Sequence, residues 1–286
     1  MTEKVLILHD NKIDAATMAA SSTAGTLGPD NLRDRALKKT ARTTGVTGEW
    51  WRAGFGEATT ISTVALWNHN LTAAATIRVR ISDSADMSSP VFDTTFDAWA
   101  GIYGVDEIGL DLCGLDGTPI LSALNDFKYY RVIRLGASYN GLYLRVDIDD
   151  ATNADGYIQA GRLIAGVGWQ PSKNFSNGWS LDWIDPSAQV DMDDGGIWFD
   201  KRDKYRVLTL PFSYAEKADA MGGFDDLKRI VGHSRDILVM PFPAAETSEQ
   251  YRTSLYGVPL RGGVSAIRQD RLNQFVIDMK IRELTA

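Results

Sequence analysis

The chain reads as a mainly β protein of two folded units, and three observations predict it. First, apolar and polar residues alternate in short runs: Ile77, Val79 and Ile81 against Arg78, Arg80 and Ser82; Leu142, Leu144, Val146 and Ile148 against Tyr143, Arg145 and Asp147; and Phe275, Ile277, Met279 and Ile281 against polar neighbours. A period of two puts each set on its own face of a sheet, one apolar and one wet. Second, clusters of Asn, Asp, Gly and Pro, residues that accept turn geometry, separate such runs. Third, 286 residues with 44% hydrophobic and 23% charged side chains give globular values and enough apolar surface for two cores.

Val5–Leu8 is a short apolar run suited to an early strand, and the Ala-, Ser- and Thr-rich segment up to Gly28 reads as a loop with a helical turn. Pro29, Asp30, Asn31 and Leu32 carry turn chemistry. Trp50, Trp51 and Phe55 sit among small residues as in a strand, and adjacent positions face opposite ways, so at most one of the two tryptophans joins the core. From Ile61 to Ser84 the chain reads as a strand, a polar turn at Asn68, His69 and Asn70, and a second strand. Tyr129–Leu135 and Leu142–Ile148 form a further strand pair, with Gly136–Gly141 as their turn. The glycine-spaced segment Gly156–Gly168 suggests a strand that another backbone approaches closely or a bulge bends. The polar stretch from Gln170 to Gly178 then marks the boundary between units 1–170 and 171–286.

In the second unit, Trp179–Ile184 and Ile197–Phe199 read as short strands around the acidic turn Asp191–Gly196, and Tyr205–Phe212 as a longer one. Ser213 and Glu216 have capping-box spacing and predict a helix start. Ala218, Met221, Leu227, Ile230 and Val231 supply its apolar face up to a stop at Gly232, with Gly222 and Gly223 kinking or splitting it. Strands return at Ile237–Met240 and Phe275–Ile281.

A net charge of −7 argues against a surface built for nucleic-acid backbones. Val5–Leu8 is interrupted by His9 and Asp10, so no signal peptide is expected, and no run approaches the roughly 20 apolar residues of a membrane span. A single cysteine, Cys113, cannot form an internal disulfide, which fits assembly in a reducing cytoplasm.

Motifs for catalysis fail at their decisive positions. His9, His69 and His233 have no zinc spacing, and there is no G-x-S-x-G elbow. Gly161 to Gly166 has phosphate-loop spacing but continues into Val167 and Gly168 where Lys and Ser or Thr are required. No catalytic residue, metal ligand or cofactor is assigned, and the chain is not expected to be an enzyme. Of two acidic clusters, Asp147, Asp149, Asp150, Asn153 and Asp155 fail the EF-hand pattern because Ala151 and Arg162 fall where carboxylates belong. A looser calcium loop stays open there beside the reading of solvated strand-capping residues. Asp182, Asp185, Asp191, Asp193 and Asp194 take the solvated reading. A glycan contact is the remaining candidate. Indole and phenol rings pack on the apolar face of a sugar while their polar edges hydrogen-bond, so Trp67, Trp99 and Tyr103, with Asn68, His69 and Asn70 of the polar turn, are its candidate residues.

Pro29–Asp34 (PDNLRD), Trp50–Gly56 (WWRAGFG), the Ile61–Ser84 unit, Tyr129–Leu135 (YYRVIRL) and Tyr157–Leu163 (YIQAGRL) together resemble discoidin-like, or galactose-binding-like, jelly-roll domains. The run VALWNHNLTAAATIRVRISD is most similar to versions of that domain in structural proteins of tailed bacteriophages. Tyr205–Phe212, the helix Ala215–Gly232 and the closing Ile277–Leu284 (IDMKIREL) resemble the strand, helix and strand order of tail-tube-like and distal tail proteins. The resemblance implies a discoidin-like β-sandwich at 1–170 and a tail-tube-like β-barrel or sandwich with one flanking helix at 171–286. It further implies a homo-oligomeric ring in a phage tail tip or baseplate, assembled in the host cytoplasm beside other tail proteins. The outer domain would then meet a cell-surface glycan. The alternative is a lectin-like carbohydrate-binding protein, or an accessory module of a glycan-active system.

Overall fold

The computed structural model describes residues 4–99, 129–192 and 196–285; Tyr103, Cys113, Asp193 and Asp194 lie outside them. Two compact units divide the chain, one of Asp10–Gly168 with Ala245–Arg252, the other of Met1–His9, Trp169–Ala244 and Thr253–Thr285. These boundaries depart from 1–170 and 171–286 in two places. Strand β1 (Leu6–Leu8) pairs with Ile237–Met240 of the second unit, because its three buried apolar residues extend that unit's sheet. Residues 245–252 belong to the first unit, where Tyr251 packs on its core.

In the first unit the strands are β2 (Thr17–Ala20), β3 (Ala41–Arg42), β4 (Glu49–Trp67), β5 (Thr76–Ser82), β6 (Pro90–Asp97), β7 (Tyr130–Asp149), β8 (Gln159–Ala160) and β9 (Arg162–Gly166). An antiparallel sheet runs β2-β4-β7-β5-β6, β9 adds to the far half of β4, and β3 pairs with β8. Its inner face buries Ile77, Val79, Ile81, Leu144, Val146 and Ile148 as the two-residue period assigns them, together with Trp51 and Ala53, while Leu142 of the same expected set is only half-buried. Short 3-10 turns at Lys12–Ala15 and Pro29–Arg33 fall where a helical turn and turn chemistry were expected.

Two local readings need correction. The strands on either side of Asn68–Asn70 are not each other's partners, since β7 lies between β4 and β5. Nor is Gly136–Gly141 a turn, since β7 continues through it. Gly136 takes φ +76° in β7 and Gly56 takes φ +77° in β4, and the register between these strands shifts between Gly54 and Thr59 and again between Ile61 and Thr63. Glycine at positive φ lets a long strand bulge and bend where other residues would break it. The close approach expected near Gly156–Gly168 occurs at Gly161, where a Cβ would stand 2.5 Å from the Leu37 carbonyl oxygen.

In the second unit, β10 (Ser180–Ile184), β11 (Ala188–Asp191), β12 (Ile197–Asp200) and β13 (Tyr205–Glu216) precede a helical segment opened by α1 (Lys217–Asp219). After it come β14 (Ile237–Met240), β15 (Leu255–Val264), β16 (Arg268–Arg271) and β17 (Gln274–Glu283); α2 (Thr247–Thr253), between β14 and β15 in the chain, falls in the first unit except for its last residue. The sheet runs β1-β14-β15-β17-β13-β10 with β16 also on β17, while β11 and β12 pair only with each other. Leu208, Leu210 and Phe212 of β13 and Phe275, Ile277, Met279 and Ile281 of β17 fill its core. Arg206 and Glu283 form a buried ion pair across β13 and β17, with Arg206 Nε 3.0 Å from Glu283 Oε1.

The helix differs from its sequence reading. β13 runs on through Ser213 to Glu216, where Ala215 and Glu216 pair with Phe275 and Gln274, so ladder bonds displace the capping box. The segment then winds in wide π turns at Ala220–Phe224 and Leu227–Val231, ending at Gly232 with φ +57°. Wider turns rotate its apolar face to Ala220, Phe224, Leu227 and Val231 and leave Met221 exposed. Gly223 does not split the helix; its missing side chain makes room for the Trp169 indole, which an added Cβ would meet at 2.2 Å. Among the described residues, no helix is long and apolar enough to cross a membrane.

Candidate functional site

The polar turn after β4 holds together the residues singled out for glycan contact, but it holds them inward. Trp67 is 3% exposed and lies stacked on Tyr130. Trp99 is 1% exposed, and its Nε1 donates to the Leu71 carbonyl at 2.9 Å. His69 is 3% exposed, accepts the Leu71 amide at Nδ1 at 3.3 Å, and meets Trp99 and Tyr129 edge-on. Burial, aided by the charge of Arg131, pushes the His69 pKa down to about 3, so the imidazole is neutral.

Asn68 sits at φ +55° and donates to the Leu37 carbonyl at 2.8 Å. Asn70 donates to Asp155 and to the Tyr157 carbonyl and accepts the Gln159 amide at 2.8 Å, which ties the turn to the segment entering β8. These side chains are spent on structure. Trp67 and Trp99 therefore do not offer the open ring faces expected of a glycan platform, because burial recovers more free energy from a large ring than exposure does. Tyr103 lies outside the described residues.

The first acidic cluster is likewise engaged. Asp150, 1% exposed, accepts from the Thr72 amide and hydroxyl and from Asn153 Nδ2, and Asp149 accepts the Gly48 amide. Among the described residues no group of three or more His, Cys, Asp or Glu is placed to hold a metal ion.

An arrangement of different character occupies the outer face of the six-stranded sheet, opposite the core. Cross-strand register sets Arg52 of β4 beside Arg145 of β7 and Arg145 beside Arg80 of β5, so three arginines form one row across three strands. Trp50 lies beside Asp147 and Gly54 beside Tyr143 in the neighbouring positions. Asp147 receives Arg80 through Nε at 3.0 Å and Nη2 at 2.7 Å, and Arg145 through Nε at 2.8 Å. The Arg145 guanidinium lies over the Trp50 indole, 4.4 Å from its centroid. That of Arg52 is 5.6 Å from both the Trp50 and the Tyr143 ring centroids, and its Nη1 donates to the Ala85 carbonyl at 2.7 Å. Gly54 gives Tyr143 its position, since a Cβ there would press on the ring at 3.1 Å. Burial holds the Arg145 guanidinium below its ordinary pKa; Arg80 and Arg52 push the same way, while Asp147 opposes them.

Trp50, Arg52, Tyr143 and Arg145 are all partly exposed, so the face combines aromatic surface with planar, multi-donor cations that reach solvent. Alternation along β5 and β7 already assigns Arg80, Tyr143, Arg145 and Asp147 to the wet face. Their convergence with Trp50 and Arg52 depends on cross-strand register, which alternation does not encode.

No protein-family model and no curated protein matches the chain. Similar solved structures include the lectin domain of lectinolysin in complex with Lewis B antigen, at 14% identity over 55% of this chain and 95% of that one, with a TM-score of 0.38. Another is chitosan-binding module 1 of a chitosanase/glucanase from Paenibacillus sp. IK-5, at 16% identity over 55% and 98% of the two chains, TM-score 0.38. A fucose-binding module from Streptococcus pneumoniae matches at 12% identity over 56% and 96%, TM-score 0.37. The mainly β architecture rests on the strands described above.

Proposed function

We propose that this chain is a non-catalytic carbohydrate-binding protein whose sugar sits on the outer sheet face of the first unit, with Trp50 at its centre. The observation that carries this reading is the Trp50–Arg145–Arg52–Tyr143 array. A pyranose needs an aromatic surface for its C–H face and polar donors at the edge for its hydroxyls, and both stand here within one cross-strand cluster. The test is a glycan-array screen of the whole chain followed by calorimetry. Binding is expected, and Trp50→Ala removes it while the circular dichroism spectrum stays unchanged. Failure to retain any saccharide across the array sinks the reading.

The second unit supports a reading in which copies of the chain assemble. The β11–β12 hairpin exposes Val190, Ile197, Trp198 and Phe199, each about half accessible, with Trp183 of β10 also open. Register places Val190 opposite Trp198 on one face, while Ile197 and Phe199 lie on the other, so both faces of an isolated ribbon are apolar. Such a hairpin gains stability when another surface covers it, and a second copy of the chain is the partner proposed. A ring in the tail tip or baseplate of a tailed phage is the setting that joins the two roles, with glycan contact at the host surface and final location in the virion. Light scattering is expected to show oligomers that Trp198→Ser with Phe199→Ser dissociates, and electron microscopy of particles should place the chain in the tail. A strictly monomeric wild-type chain argues against assembly.

A further inference from the structure

We infer that the saccharide taken by the Trp50 face is an acidic one, whose carboxylate is received by Arg52 and Arg145. This rests on the sugar-binding reading and specifies its ligand class. Arg80, Arg145 and Arg52 are consecutive cross-strand neighbours. Like charges placed directly opposite one another work against strand pairing, so the row is a cost to the sheet. Asp147 is the carboxylate within reach of two of them, and it accepts from Arg80 through both oxygens and from Arg145 through one. Among the described residues, three guanidinium groups against one carboxylate leave a local excess of two positive charges, in a protein whose net charge is −7.

The excess is localised at one end of the row. Arg78, the next arginine on β5, is matched by Asp93 in a two-point pair at 2.6 Å and adds nothing to it. Arg52 faces no carboxylate among the described residues; the Ala85 carbonyl orients it through Nη1, which leaves its remaining donors for a ligand. A planar guanidinium presents paired N–H groups that match the two oxygens of a carboxylate. Trp50 and Tyr143 flank Arg52 at equal centroid distances, so an anion bound there carries an apolar ring surface against aromatics on either side. A uronate-type sugar has both parts, a pyranose ring and a carboxylate fixed to it. A free inorganic anion has only the second, and a neutral sugar only the first.

The experiment compares calorimetric titrations of the whole wild-type chain with an oligogalacturonate, with its methyl ester, and with sodium sulfate. The acid is expected to bind at least tenfold more tightly than the ester, its affinity to fall with added salt, and sulfate alone to bind much more weakly. Arg52→Gln, which leaves both Asp147 pairs intact, is expected to lower affinity for the acid about tenfold and to narrow the gap between acid and ester. Equal affinity for acid and ester overturns the inference while the sugar-binding reading stands. Sulfate binding as tightly as the uronate also overturns it, because the site is then an anion site without saccharide recognition. If no saccharide of either kind binds, the sugar-binding reading falls with it. The wild-type comparison of acid with ester decides the matter even if the variant does not fold.

Discussion

The indole of Trp67 lies flat on the phenol ring of Tyr130, with centroids 4.0 Å apart and planes within 8° of parallel. Tyr130 in turn stacks on Tyr251 at 4.8 Å and donates its hydroxyl to the Tyr251 carbonyl. One sandwich of three rings thus joins β4, β7 and residues 245–252 within the first unit. Trp67→Ala is expected to destabilise that unit by about 3–5 kcal/mol, the usual cost of deleting a buried large ring. Denaturant unfolding followed by fluorescence checks it, and a change under about 1 kcal/mol would contradict the packing described.

His69 gives the first unit an acid-sensitive element. Its pKa is lowered from 6.5 to about 3 in the fold, so between those values the unfolded chain takes up a proton that the folded chain refuses. The stability contribution is fully present above pH 6.5 and is lost as pH falls toward 3, at up to about 1.4 kcal/mol per pH unit. Subtracting the stability–pH curve of His69→Gln from that of wild type isolates this component. A flat difference between pH 6.5 and 4 would show that the imidazole is not buried as described.

Trp50 and Trp51 are adjacent in sequence and opposite in consequence. Trp51 is 1% exposed in the core, whereas Trp50 lies on the outer face beneath Arg145. Trp51→Ala is expected to cost about 3–5 kcal/mol, and Trp50→Ala no more than about 1 kcal/mol, the scale of a partly exposed cation–π contact. Thermal unfolding of the two variants side by side should show the large shift for Trp51→Ala alone.

In the second unit, Arg206 and Glu283 are 3% and 2% exposed, and Glu283 also receives the Arg206 amide at 3.0 Å. Removing one member of a buried pair leaves a charge without its partner. Glu283→Ala is expected to cost about 3–5 kcal/mol, measured by chemical denaturation, and a loss below about 1 kcal/mol would show that solvent reaches the arginine.

Much of the fold was legible from alternation. The inward set of β5, β7 and β17 and the opposite orientation of Trp50 and Trp51 follow from a two-residue period on a half-buried sheet, whereas Ile237–Met240, buried at all four positions, shows as a continuous apolar run. Strand partners were less legible. β4 and β5 are near neighbours in sequence, yet β7, which begins only at Tyr130, lies between them, because pairing is decided by long-range hydrogen bonds that leave no local mark. The capping box at Ser213 and Glu216 failed for the same reason, as β17 offered Glu216 a ladder partner in Gln274 and the Ser213 amide donates to the distant Ser176 hydroxyl.

By itself, the sequence determined which residues of the alternating strands β5, β7 and β17 face a core and which face water, since burial of apolar side chains is written in their spacing. Only tertiary structure decided which wet residues meet. Trp67, Asn68, His69 and Asn70 look like a site as a string, but once β4 and β7 pair, ring packing and backbone hydrogen bonds use them up. Arg52, Arg80 and Arg145 look unremarkable as a string and become a charged row beside Trp50 because antiparallel register brings three distant strands into line.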